Sequence, residues 1–178
     1  MAGNQRQSLK ALQERLASRL AEAREGGADA SWLAVEARGR RFLLPLVHAG
    51  EIFPVPFVQR VPYTQPWFLG VAALRGGLMG VVDLGGVLQT DVPAFLAPGG
   101  ASDAKLVALN QALGVNAALW VDKLVGLRGV NMFVSAVPRS ADDSPVLAQR
   151  LTDANGEQWQ ELNLQALAEW PAFLSVVA

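Results

Sequence analysis

The chain has 178 residues, 51% of them apolar and only 17% charged, with a net charge of −1; that length suits one body with a sizeable core or two small fused barrels, and is short for two independent domains. Lys10, Lys105 and Lys123 are its only lysines, so there is no broad cationic field for nucleic acid or anionic lipid. The absence of cysteine removes disulfides, thiolate catalysis and thiolate-bound metals, and a charge content below the roughly 25% of an average soluble domain leaves apolar surface for partners.

In chain order, Leu9, Leu12, Leu16 and Leu20 draw one apolar stripe along a helix, with Lys10 and Glu14 four apart on its outer side and Gly26-Gly27 as a stop. Residues 1–28 are read as a helical extension, packed on its own domain or docking a partner, and residues 29–178 as the main body. From Trp32 the pattern shortens. "WLAVEA" and "FLLPL" flank "RGRR" and predict a hairpin turning at Gly39. Pro45, Pro54, Pro56, Pro62 and Pro66 forbid helix through the following stretch, which is read as an extended edge and a turn.

"FLGVAALR" and "LMGVVDL" predict a second hairpin, with Arg75 set against an apolar, glycine-punctuated background. Residues 91–103 read as loop and as the hinge between two halves. "KLVALN", "AALWVDKLVGL" and "VNMFVSAV" are strand-like, and "VLAQRLTDANGEQWQEL" is a hairpin closed at Asn155-Gly156. Leu162, Leu164, Leu167 and Trp170 predict a short C-terminal helix stopped by Pro171. About ten short strands in two groups argue for an all-β architecture of two linked small barrels.

Little in this pattern suggests catalysis. His48, the lone histidine, sits in an expected strand between Val47 and Ala49 and reads as a packed or half-exposed side chain. The glycines of "RGGLMG" and "DLGG" lack a following Gly-Lys-Ser/Thr and read as turn and bend residues. Glu51, Asp83 and Asp122 are scattered, and Asp142-Asp143 lie in a polar loop facing water. No catalytic residues, metal ligands or cofactor site are expected, and binding is the better hypothesis. No apolar run reaches the roughly 18 residues of a spanning helix, and no secretion-signal pattern precedes Arg19, so a cytoplasmic location without membrane insertion is expected.

Four fragments in order resemble the CheW family of chemotaxis coupling proteins. "ALRGGLMGVVDL" is similar to the family's Asn-Leu-Arg-Gly and Pro-Val-x-Asp-Leu signature at Leu74, Arg75, Gly76, Val81, Asp83 and Leu84. "LVHAGEI" matches a strand ending in Glu51 and Ile52, "RVPYTQPWFLGV" the approach to Gly70 and Val71, and "ALWVDKLVGL" a later strand at Leu119, Val121, Asp122 and Leu124. Ala73, Gly80 and Ala118 depart from the family's asparagine, proline and glycine. The length, the leucine-striped start and the ending "LNLQALAEWPAFLSV" most resemble the variant serving type IV pilus twitching motility.

The resemblance implies a pair of five-stranded barrels with a hydrophobic groove between them. That groove would accept the cytoplasmic tip of a methyl-accepting chemoreceptor, and a barrel end would meet the CheW-like regulatory domain of a histidine kinase. Ala49, Glu51, Ile52, Gly70, Val71, Leu74, Arg75 and Leu124 are the expected receptor-groove residues, with Glu51 and Arg75 as an ion pair. Such a protein is a non-catalytic adaptor at membrane-associated receptor arrays. The alternatives are a small-ligand barrel, an enzyme using scattered carboxylates and arginines, or a scaffold self-associating through its first helix.

Overall fold

The computed structural model describes residues 31–88 and 103–178, with residues 11, 14 and 15 before them. Ala11, Glu14 and Arg15 are helical; the rest of the expected N-terminal helix lies outside the described residues. Strands β1 (Trp32–Ala37) and β2 (Arg40–Pro45) form the first hairpin, followed by β3 (Ala49–Pro54), β4 (Phe68–Leu74), β5 (Gly77–Asp83) and the short helix α1 (Leu84–Leu88). Next come β6 (Lys105–Leu109), β7 (Ala117–Val121), β8 (Lys123–Arg128) and β9 (Phe133–Val137). The hairpin of β10 (Leu147–Asp153) and β11 (Gln158–Leu162) leads into helices α2 (Leu164–Glu169) and α3 (Pro171–Leu174). Asn163 caps α2 by accepting the Ala166 N–H at 3.0 Å, and Pro171 opens α3, where its missing N–H costs nothing.

The strands form a six-stranded sheet in the order β8-β1-β2-β11-β10-β9 and a five-stranded sheet in the order β3-β6-β7-β5-β4. Both edge strands of each sheet pack on one common cluster, which means that each sheet curls on itself. In the first barrel Val125 of β8 and Phe133 of β9 pack with Trp32, Leu43, Leu151 and Trp159. Phe53 of β3 and Leu74 of β4 pack with Ala72, Val81, Leu106 and Ala118 in the second.

A third and larger core lies between the barrels, and period-two alternation builds it. Trp32 and Ala34 of β1 face the first barrel's interior, while Leu33, Val35 and Ala37 face the shared core. Ala118 and Trp120 of β7 face the second barrel's interior, while Ala117, Leu119 and Val121 face the shared core. Strands buried on both faces read as near-continuous apolar runs, which accounts for the hydrophobicity of "WLAVEA" and "AALWV".

Four expectations change. "AALWVDKLVGL" is two strands, because Asp122 breaks it and the chain there passes from one sheet to the other. The total is eleven described strands in sheets of six and five, against the expected ten in fives. Residues 91–103 do not divide the halves, since β4 and β5 before them and β6 and β7 after them share one sheet. His48 lies in the turn after β2 and is half-buried.

Candidate functional site

Two hairpins of this fold turn on the same dipeptide. Arg38 and Gly39 link β1 to β2 with φ of 48° and 72°, and Arg75 and Gly76 link β4 to β5 with φ of 48° and 73°. Positive φ at both central residues is what a two-residue type I′ turn requires, and its twist matches that of the flanking strands. The turn also lifts each arginine out of its apolar strand and frees the guanidinium to find a carboxylate. Arg75 is thus a turn residue, not the last residue of a strand.

Arg75 reaches across a seam. Strands β3 and β4 are the two edges of the second sheet, and Arg75, at the end of β4, binds Glu51 of β3. The contact is bidentate: Nη2 donates to Oε1 at 2.6 Å and Nε donates to Oε2. It is also wet, with the arginine side chain 73% exposed and the glutamate side chain 39% exposed. Beside the pair lies a surface depression of about 550 Å³, lined by Gly50, Glu51 and Phe53 of β3, by Leu74, Arg75, Leu78 and Met79 of the β4–β5 hairpin, and by Leu109, Asn110 and Asn116. Leu78 is 63% exposed at this edge, an apolar side chain that the motif comparison passed over.

The other expected groove residues lie elsewhere. Ala49 and Leu124 are half-buried, packed against the shared core from its margin. Ile52 is exposed on β3 opposite Val107. Gly70 and Val71 lie on β4 against the segment that follows β3, where Gln59 and Val71 exchange two backbone hydrogen bonds of 2.8 Å. Gly70 is buried there with φ of 139°, and a Cβ on it would sit 2.1 Å from the Gln59 carbonyl oxygen. Of the eight residues, Glu51, Leu74 and Arg75 line the depression.

The second arginine makes the opposite kind of pair. Arg38 of the first barrel donates from Nε at 3.0 Å and from Nη2 at 2.5 Å to one oxygen of Asp83, at the end of β5 in the second barrel. The Asp83 side chain is 4% exposed and that of Arg38 is 15% exposed. The other oxygen of Asp83 accepts the Gly86 N–H at 3.2 Å. Asp122 joins the same place: its carboxylate accepts the Arg38 backbone N–H at 2.6 Å, and its own N–H donates to the Glu36 carbonyl at 2.8 Å. Two aspartates that look scattered in sequence thus converge on one arginine. Gly85 belongs to this arrangement, since a Cβ there would sit 2.6 Å from Arg38 Cγ; it lies in helix α1 and makes room for a side chain, where a bend was expected. The "ARG" of the first hairpin and the "LRG" of the second are the signal that could have flagged Arg38.

Elsewhere, carboxylates do structural work. Asp143 accepts the Ser140 N–H at 3.1 Å. Asp153 closes the β10–β11 hairpin, and although burial alone raises its pKa, N–H bonds from Trp159, Glu157 and Asn155 and the charge of Arg41 hold it below the ordinary 3.8. A carboxylate with a depressed folded pKa adds stability that is complete above its unfolded pKa and is lost as pH falls through the folded one. Asp153→Asn is therefore expected to melt below the wild type at neutral pH, and the gap should close as pH drops below 3.8; thermal melts across that range check this. Among the described residues no three histidine, cysteine, aspartate or glutamate side chains gather as a metal site, and no helix is long and apolar enough to cross a membrane.

Two curled sheets joined by a common core, with one exposed arginine–glutamate pair beside a surface depression and one buried arginine–aspartate pair between the sheets, define a double-barrel β protein. A family model described as CheW-like domain matches residues 31–172, and the chain belongs to that family. It is 29% identical over 169 residues to Protein PilI of Pseudomonas aeruginosa, covering 91% of this chain and 88% of PilI. Its fold is similar to that of the scaffolding protein TtCheW from Thermoanaerobacter tengcongensis, with a TM-score of 0.60, 16% identity, and coverage of 76% of this chain and 90% of the other.

Proposed function

We propose that the protein is a non-catalytic cytoplasmic adaptor that couples the tip of a methyl-accepting chemoreceptor to the CheW-like regulatory domain of a histidine kinase. Residues 29–178 form the adaptor body and residues 1–28 an extension of it. Membership of the CheW-like family supports the adaptor class, and the likeness to PilI supports signalling that controls type IV pilus twitching motility. The observation that carries the site is the exposed Glu51–Arg75 pair beside the apolar side chains of Leu74 and Leu78, a wet charged rim over an apolar floor. Interfaces favour that combination, because the apolar part supplies affinity and the charges set register. The non-catalytic reading gains support from Asp83 and Asp122, whose carboxylates are both engaged by Arg38.

Arg75→Ala tests the site. Because the pair is mostly solvated, its removal is expected to change stability by at most about 1 kcal/mol. Binding of a receptor cytoplasmic fragment, measured by pull-down and by titration, should weaken by about tenfold or more. A variant that folds and binds the fragment as the wild type does would remove Arg75 from the interface.

A further inference from the structure

The two barrels meet through an apolar core, and apolar contact attracts without strong directional preference. Direction comes from the Arg38 site. There the turn of the β1–β2 hairpin, the β5–α1 junction and the β7–β8 crossing are tied by charged hydrogen bonds of 2.5 to 3.0 Å that tolerate little rotation. The tie sits where the chain passes between the sheets, and β5 runs from it to the Arg75 turn at the depression. We infer that Arg38 and Asp83 form a clasp that fixes the angle between the barrels, and that the adaptor relies on this angle to transmit receptor state to the kinase. The inference rests on the adaptor reading. Arg38 is a positioning residue in it: its side chain is 85% covered by its own chain and no part of its role is contact with a partner.

The clasp separates binding from coupling. Each barrel keeps its own core and surface when the clasp is broken, so each partner still binds alone, but the two are no longer held in one geometry. Because the chain contains no cysteine, Ala73→Cys on the second barrel and Gln158→Cys on the first, both exposed, give a spin-label pair for inter-barrel distances in the full chain. Arg38→Lys keeps the charge but loses the two-pronged fork. The paired variant Arg38→Met with Asp83→Leu removes both charges, an exchange that buried pairs usually survive, and so keeps the test open if the lysine variant fails to fold.

In both variants the inter-barrel distance distribution should broaden, while the affinities for the receptor fragment and for the kinase regulatory domain, measured separately, stay at the wild-type level. Receptor control of kinase autophosphorylation in the assembled complex should fall by about tenfold or more. A folded variant with a distribution as narrow as the wild type's, or with undiminished receptor control, overturns the clasp. If the wild type binds neither partner, the adaptor reading fails and the coupling half of the inference fails with it, while the distance measurement still decides whether the clasp sets the angle.

Discussion

Asp83→Ala is expected to lower the stability of the protein by about 3 to 5 kcal/mol, one of the largest effects available to a single polar substitution in this fold. The reason is what it leaves behind. Arg38 is packed against Gly85 and keeps only about a seventh of its side chain in water, so removing the carboxylate leaves a guanidinium with two unmatched donors in a poorly solvated place. The Gly86 N–H loses its acceptor as well. Some of the cost is recovered because Arg38 can turn its tip outward, which places the value toward the lower end of the range. Urea denaturation of the full chain measures it. The comparison with Arg75→Ala sharpens the test: both variants break one Arg–carboxylate pair at a type I′ turn, and burial is the main difference between them. Equal losses in the two variants would refute the argument that burial decides.

Gly70→Ala is expected to cost about 3 kcal/mol or more, through a φ that side chains rarely adopt and through displacement of the Gln59 backbone. The added methyl would meet the Gln59 carbonyl oxygen at 2.1 Å, and neither atom belongs to a flexible side chain. Relief therefore requires the segment after β3 to leave the edge of β4, which breaks the two Gln59–Val71 hydrogen bonds. Chemical denaturation gives the cost, and hydrogen exchange at the Gln59 and Val71 amides shows whether that edge opens. The same clash meets any larger side chain at this position, an aspartate included. A loss of receptor binding in Gly70→Asp would ordinarily be read as a charge placed in a contact, but the buried position makes it a backbone effect. If Gly70→Ala melts as the wild type does, that explanation is wrong and Gly70 returns to the list of contact residues.

The elements were legible because their signals are local. "LRGG" and "EARGRR" announce tight turns, the prolines from 45 to 66 exclude helix, and Asn155-Gly156 closes the last hairpin where the sequence places it. The break at Asp122 was hidden because apolar residues continue on both sides of it, and only the change of sheet shows that one run is two strands. The shared core was hidden for a related reason: a strand buried on both faces loses the alternation that would say which face it presents to which neighbour.

The site was partly legible. The Glu51–Arg75 contact joins the two edges of one sheet, and resemblance supplied the pairing across 24 positions that spacing alone could not. Arg38 and Asp83 lie 45 positions apart in different barrels, and no periodicity links them. Ala49, Val71 and Leu124 illustrate the remaining difficulty, since small aliphatic residues on strands fit a core and a contact surface equally well in sequence. Only position separates the two roles.

The paired arginine turns also differ in their sensitivity to ionic strength. Mobile counterions reach the Glu51–Arg75 pair freely, and at physiological salt the screening length is about 8 Å, so added salt loosens the seam between the two open edges of the second sheet. The same ions have almost no access to Asp83. A rise in salt therefore softens the rim offered to a partner while leaving the frame behind it rigid, and the chain can yield at its contact surface without losing its shape.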